Sequence, residues 1–398
     1  MRVIGLMSGT SYDAIDGAAA DLRLEGDTLV LTPLGLMSRA YSVALRAAVE
    51  AALPPASTTM EQVCRLDTAI GQAFAEVAAE VNTELCGGRA ELVASHGQTV
   101  YHWVDGGRVL GTLQLGQPAW IAERTGCTVV SDFRPRDVAA GGQGAPLVSA
   151  FDVLWLRGRP GTAVALNLGG IANITVAGLH GDPVAFDTGP ANALIDAKVT
   201  QCTGSAQTFD RDGSMAAGGS VDPELLARLL SDPYYSRPAP KSTGKEHFHI
   251  GYLTEVLARQ CADQRPGRPP LPDVDVVATL AALTARTVAN AVRAARATEV
   301  IASGGGTLNP TLMAMLRTEL AGVPVLTSDE LGVPSAAKEA YAFAVLGFCT
   351  AHGLPGTIAA CTGARRASVL GSLTPGRGGL PVGTPTTLGP TRLRIEAP

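Results

Sequence analysis

Apolar residues in this chain come in two rhythms, short β-branched runs and longer stretches where they return every three or four positions. The runs predict strands at Val3–Met7, Thr28–Leu36, Leu92–Ser95, Val109–Gln114 and Thr128–Ser131, with helices at Val43–Ala52, Met60–Leu85 and Pro118–Thr125 between them. A second series starts at Ala163. Strands run to Thr175 and over Pro183–Asp187, helices begin at Pro190 and near Pro223–Leu230, and helices follow at His249–Gln264 and Val276–Ala295. Val300–Ser303 and Val323–Leu326 complete it as short strands, and Ser335 is placed to N-cap a helix running to about Phe348. Strands alternating with helices predict an α/β fold.

Both series open with a strand, a glycine turn and a second strand (Ile4 to Ala18, then Ala165 to Thr175), which reads as a duplicated unit. The expected organisation is a first α/β domain of residues 1–158 plus 335–372, a second of residues 159–334, and a Pro/Gly-rich irregular tail over 373–398. Two such halves facing each other would form a cleft lined by both turns.

Composition narrows the function. Charged residues make up 17% and the net charge is −5 with no basic block, which points away from nucleic acid. The seven cysteines are scattered, with no C-x-x-C, so neither zinc nor a disulfide framework is indicated. His247 and His249 have no third ligand near them in sequence, and no metal site is expected. The start, MRVIGLMSGT, lacks a signal-like apolar region, and no run of about 18 apolar residues occurs. The expectation is a cytoplasmic protein outside membranes.

Candidate chemistry gathers at glycine turns. In Val164 to Asp196, Gly169-Gly170 separates two β-prone runs, and Asp187 closes a third where Pro190 suits the first turn of a helix. Backbone amides at such a turn can approach an anion, and a carboxylate beside them is what phosphoryl transfer to a hydroxyl or water requires. Gly9, Thr10, Ser11, Tyr12, Asp13, Ala14, Ile15 and Asp16 follow the first strand; the turn offers donors to a polyphosphate, or is an ordinary hairpin. It is not a Walker A loop. Gly304-Gly305-Gly306 ends another strand and can pack against a nucleoside; a Rossmann fingerprint competes, but its spacing is absent. Three glycine turns at strand ends favour a nucleotide cleft. Arg134 and Arg136 precede a glycine segment and can hold a carboxylate bidentately, or form a solvated turn. His96 lies in a polar loop, SHGQTVYH, and is either a structural histidine or a substrate contact. Lys245 sits in PKSTGKEHF, a polar substrate loop or a connector.

Taken together, GLMSGTSYDAIDGA, SHGQTVYH, SDFRPRDVAAGGQGAPL, NLGGIANIT, AFDTGPANALID, PKSTGKEHF, SGGGTLNPTL and KEAYAFAVLG, then TGAR, resemble the anhydro-N-acetylmuramic acid kinases of the actin, sugar kinase and Hsp70 superfamily, in family order over roughly residues 3–372. The resemblance implies two facing domains with ATP and Mg²⁺ between them, and 1,6-anhydro-N-acetylmuramic acid as substrate. The implied reaction opens the anhydro ring with water and phosphorylates O6, giving N-acetylmuramate 6-phosphate for cell-wall recycling. It further implies ATP binding by Gly9 through Asp16, Asp187 as the catalytic base, and a homodimer. Gly169, Gly170 and the 304–306 turn join the ATP side. Arg134 is the candidate for the substrate's lactyl carboxylate, with His96 and Glu339 as further substrate-side candidates, and Asp13 or Asp187 would steady Mg²⁺ through water. Two positions depart from the family pattern: Ala14 stands for a usual Gly and Lys245 for a usual Arg. The alternatives are a kinase of an ordinary sugar hydroxyl, and a nucleotide-sensing protein without turnover on the same scaffold.

Overall fold

A computed structural model describes residues 1–9, 12–54, 56–106, 108–178, 181–239, 241–244, 247–263, 269–380 and 389–397. The chain divides into two compact units, Met1–Gly158 with Gly332–Pro398, and Arg159–Leu331. In the first unit, β1 (Arg2–Ser8), β2 (Ala14–Glu25) and β3 (Thr28–Ala40) form an antiparallel meander. β4 (Leu92–Asp105) lies parallel to β1, with β5 (Arg108–Leu115) folded back on it and β6 (Thr128–Ser131) parallel beyond it. Six of the seven β1 residues are buried, as befits a strand covered on both faces. The helix Met60–Glu84 starts at a Thr59/Gln62 capping box and lays Phe74, Val77 and Val81 on one face, in a core with Ile4, Leu6 and Ile15.

In the second unit, β7 (Thr162–Leu168), β8 (Ile171–Gly178) and β9 (Val184–Pro190) form the meander, and β10 (Glu299–Ser303) and β11 (Val325–Thr327) add in parallel next to β7. The order β9-β8-β7-β10-β11 repeats β3-β2-β1-β4-β6 of the first unit in sequence and sense, so the duplicated-unit reading has a structural counterpart. Its core joins Leu166, Leu168 and Ile174 to the helix Asp273–Ala294. By length and composition that helix could cross a membrane; two-thirds of its most apolar window is buried in this unit.

The chain then returns to the first unit. The helix Lys338–Ala351 is almost wholly buried and packs on β1, β2 and β4. Gly5 makes this possible, because a Cβ there would stand 1.9 Å from the Ala340 carbonyl oxygen. β12 (Ser372–Thr374) pairs antiparallel with β6, and β13 (Arg392–Ile395) pairs parallel with β3. The segment expected to be irregular thus supplies strands to both ends of the first sheet. Two other expectations shift. Ser335 does not cap the helix, which starts at Lys338 after Ala337. Pro190 is the last residue of β9, paired with Ile171, and the next helix opens at Asn192.

Candidate active site

In the second unit the predicted residues meet at one end of the sheet. Strand register puts Ser303, Asn167, Asn173 and Asp187 in a row across β10, β7, β8 and β9. Directly paired residues share a face, so Asn167, Asn173 and Asp187, all half-buried, form a polar strip where β7 and β10 end. The Gly169–Gly170 turn follows β7. The N–H groups of Ala191 and Ala193 donate to Gly170 O, and that of Asn192 to Gly169 O at 3.0 Å, while Asn192 Nδ2 donates to Leu168 O. The turn's carbonyls are therefore engaged by the start of the helix Asn192–Cys202, and Pro190 stands outside it, paired with Ile171. The second glycine turn presses on the first. A Cβ at Gly304 would lie 2.5 Å from Asn167 Oδ1 and one at Gly306 2.6 Å from Leu168 Cβ, whereas one at Gly305 would meet nothing within 4 Å.

Asp187 is anchored on three sides. Its N–H donates to Lys241 O (2.9 Å), its carbonyl accepts from the Tyr234 hydroxyl (2.7 Å), and its Oδ2 accepts from the Thr243 N–H (2.9 Å). Lys241 is fixed in turn, its Nζ donating to Tyr234 O and Tyr235 O and lying 4.7 Å from the centre of the Tyr234 ring. Lys241 and Thr243 fall in the segment read from sequence only as a substrate loop or connector, and Tyr234 lies just before it; Lys245 itself lies outside the described residues.

The first unit holds the other candidates. Gly9 to Asp13 lie between β1 and β2, and Ala14 to Asp16 open β2; Thr10 and Ser11 lie outside the described residues. Tyr12 takes a left-handed conformation (φ 44°), its N–H donating to Gly9 O. Gln98, a residue the sequence did not single out, donates from Nε2 to Gly9 O, and its Oε1 lies within hydrogen-bond reach of the Ser8 and Tyr41 hydroxyls. Asp13 pairs on the surface with Arg46 at 2.9 Å. Ile15 points into the core, so it offers a ligand backbone only. Asp16 is half-buried and its pKa is raised by that burial, against a hydrogen bond from Ser38.

Arg134, on the helix Phe133–Ala139, donates from Nε to His96 Nε2 (2.8 Å) and from Nη1 to Gly144 O (2.7 Å). His96 Nε2 is then an acceptor, so the ring proton sits on Nδ1 and is donated to Gly97 O at 2.8 Å. Burial and the neighbouring guanidinium hold the His96 pKa well below the usual imidazole value. Both ring nitrogens are occupied, so His96 holds Arg134 in place. Burial brings Arg134 down to about 10, Glu339 and Asp137 opposing. With Nε and one Nη1 hydrogen engaged, Arg134 meets a ligand only through its Nη1/Nη2 end. The glycine segment after it is clasped by buried Asp137, which accepts from Gly144 N–H and from the Thr362 hydroxyl, both at 2.8 Å. Glu339 opens the helix Lys338–Ala351 and reaches solvent, yet protein around its carboxyl raises its pKa against the pull of Arg134 and Lys338. Lys338 forms a buried ion pair with Asp152 at 2.8 Å.

The structure therefore brings Gly169, Gly170, Asp187 and Gly304–Gly306 together in one unit, and Gly9, Tyr12–Asp16, His96, Arg134 and Glu339 in the other. Comparison with known proteins adds a chemical context. A family model described as anhydro-N-acetylmuramic acid kinase matches residues 1–376. An anhydro-N-acetylmuramic acid kinase of Rhodococcus erythropolis is 67% identical over 404 residues, and one of Streptomyces avermitilis 66% over 396, each covering 100% of both chains. The xylulose kinase of Rhodospirillum rubrum is similar at TM-score 0.44 and 14% identity, over 87% of this chain and 90% of that one.

Proposed function

The chain belongs to the anhydro-N-acetylmuramic acid kinase family, and from that membership we propose that it opens the internal ring of 1,6-anhydro-N-acetylmuramic acid with water and transfers the γ-phosphoryl of ATP to O6. The products are N-acetylmuramate 6-phosphate and ADP, a step in the recycling of cell-wall peptidoglycan. The observation that carries the reading is the position of Asp187, in one polar row with Asn173 and Asn167 and next to two glycine turns at the ends of parallel strands.

Asp187 is the base. It takes a proton from water as the water oxygen bonds to C1; the C1–O6 bond breaks, and O6 takes the phosphoryl group as ADP leaves. An oxocarbenium-like C1 needs only a weak base, but one fixed in place, and the three anchors on Asp187 supply that. The open space at Gly305 suits the flat face of the adenosine, and the Gly169–Gly170 turn suits the phosphates, with Gly9 to Asp16 as the phosphate-binding candidates of the other unit. Arg134, held by His96, receives the lactyl carboxylate through its Nη end, with Glu339 beside it. Magnesium, when bound, neutralises phosphate charge. Asp187 would steady it through water, while Asp13 is tied to Arg46. A homodimer and a cytoplasmic setting complete the reading.

The test is turnover with ATP, Mg²⁺ and the anhydro sugar in ¹⁸O-water. The product should gain one phosphoryl group and one water, with the label at C1. Asp187→Asn should lower kcat by about 10²–10⁴-fold while keeping ATP binding. Undiminished kcat in that variant, or an unlabelled C1, would overturn the proposal.

A further inference from the structure

Behind β9 lies a cavity of about 410 Å³ that the reaction above does not use. Phe186 and Thr188, the neighbours of Asp187, line it from the strand, and Asn290 lines it from the helix Asp273–Ala294. Successive strand residues face opposite ways, so Asp187 presents its carboxylate on the other side.

Three of the polar groups lining this cavity are Tyr235, Arg237 and Lys241. The Tyr235 hydroxyl is buried and has no hydrogen-bond partner among the described residues, a costly condition for a polar group. Arg237 and Lys241 line the same space, both lying over the Tyr234 ring, and among the described residues neither shows a carboxylate partner. Two cations and a phenol donor around one small cavity select an oxyanion. The position also connects it to the reacting side. The Tyr235 ring presses on β9 at Gly189, where a Cβ would stand 2.9 Å from Cε1, and Lys241 reaches the Tyr234 and Tyr235 carbonyls with Nζ while its own carbonyl holds the Asp187 N–H.

We propose that this cavity is a second ligand site, taking a small oxyanion (a phosphate or a carboxylate) on Arg237, Lys241 and Tyr235 behind the strand that carries Asp187. The site stands independently of the reaction assigned above.

Isothermal titration of the full chain with inorganic phosphate, N-acetylglucosamine 6-phosphate and acetate, each alone, separates free phosphate, phosphomonoester and carboxylate as sources. At least one should bind saturably. Arg237→Ala, at an exposed position, should weaken that binding at least tenfold. Tyr235→Phe should weaken it several-fold, and Asp187→Asn should leave it unchanged within twofold. Melting curves of the variants without ligand check that each is folded, and Tyr235→Phe should melt no lower than the parent because it removes an orphaned hydroxyl. No saturable binding by any of the three probes, binding that survives both Arg237→Ala and Tyr235→Phe, or binding lost in Asp187→Asn would overturn the proposal.

Discussion

His96 shows how far a single side chain's role depends on its surroundings. Its folded-state pKa is depressed, so as pH falls it is the unfolded chain that takes up the proton first, near pH 6.5. The neutral ring's contribution is thus complete above about that pH and is lost below it, at up to about 1.4 kcal/mol per pH unit. Urea midpoints measured between pH 7.5 and pH 5.5 should fall more steeply for the parent than for His96→Gln. Equal slopes would mean that the buried ring titrates as freely folded as unfolded. Because His96 holds Arg134 at 2.8 Å, the same variant should raise KM for the sugar more than it lowers kcat. The motif SHGQTVYH marks His96 in the sequence as a polar candidate, yet nothing there says that both nitrogens are consumed. That depends on a helix almost forty residues later and on which ring nitrogen the guanidinium meets. Asp187 was more legible, since a carboxylate ending a β-run before a helix is a local pattern. Its holders Tyr234, Lys241 and Thr243 were not, because they reach it only through the loop's path in space.

At the level of elements, strands and helices with strong periodicity were readable, and their ends much less so. Met60–Glu84 is fixed locally by a capping box and an apolar stripe, and it falls where the spacing predicts. Ser335 and Pro190 carry helix-start chemistry but do not start helices; the last β9 pairing at Ile171 and the engaged glycine carbonyls decide the second case. The tail was the larger omission. RLRI is too short to outweigh the glycines and prolines before it, and its strand exists because β3 offers a free edge. Leu393, 2% exposed, is the buried part of that strand, while Arg392 and Arg394 make solvent-exposed pairs with Asp27 and Glu25. Leu393→Ala should therefore lower the melting temperature by roughly 5–15 °C, from about 2–5 kcal/mol of lost packing in a unit of this size. Arg392→Ala and Arg394→Ala should change it little. A melting curve that ranks the arginines above Leu393 would show that ion pairs, and not burial, seat the strand.

For the whole molecule, the two units share one strand order but differ in how the chain supplies them. Arg159–Leu331 is continuous and encloses its own core of Leu166, Leu168, Ile174 and the helix Asp273–Ala294. The other unit is split, and its later part contributes the helix that buries Tyr341, Phe343 and Leu346 and covers β1 at Gly5. Residues 1–158 alone would leave that face of the sheet bare, an apolar surface no soluble sheet tolerates. Both edges at β3 and β6 would also lose their partners. A fragment of residues 159–331 should accordingly melt in one cooperative transition by circular dichroism, whereas residues 1–158 should not. Adding a second fragment, residues 332–398, in trans should restore a cooperative transition to the first, since the helix and β13 can dock without a covalent link. A cooperative melt of residues 1–158 by themselves would show that the sheet and the helix Met60–Glu84 suffice. The buried helix would then be an addition to that unit and not part of its core.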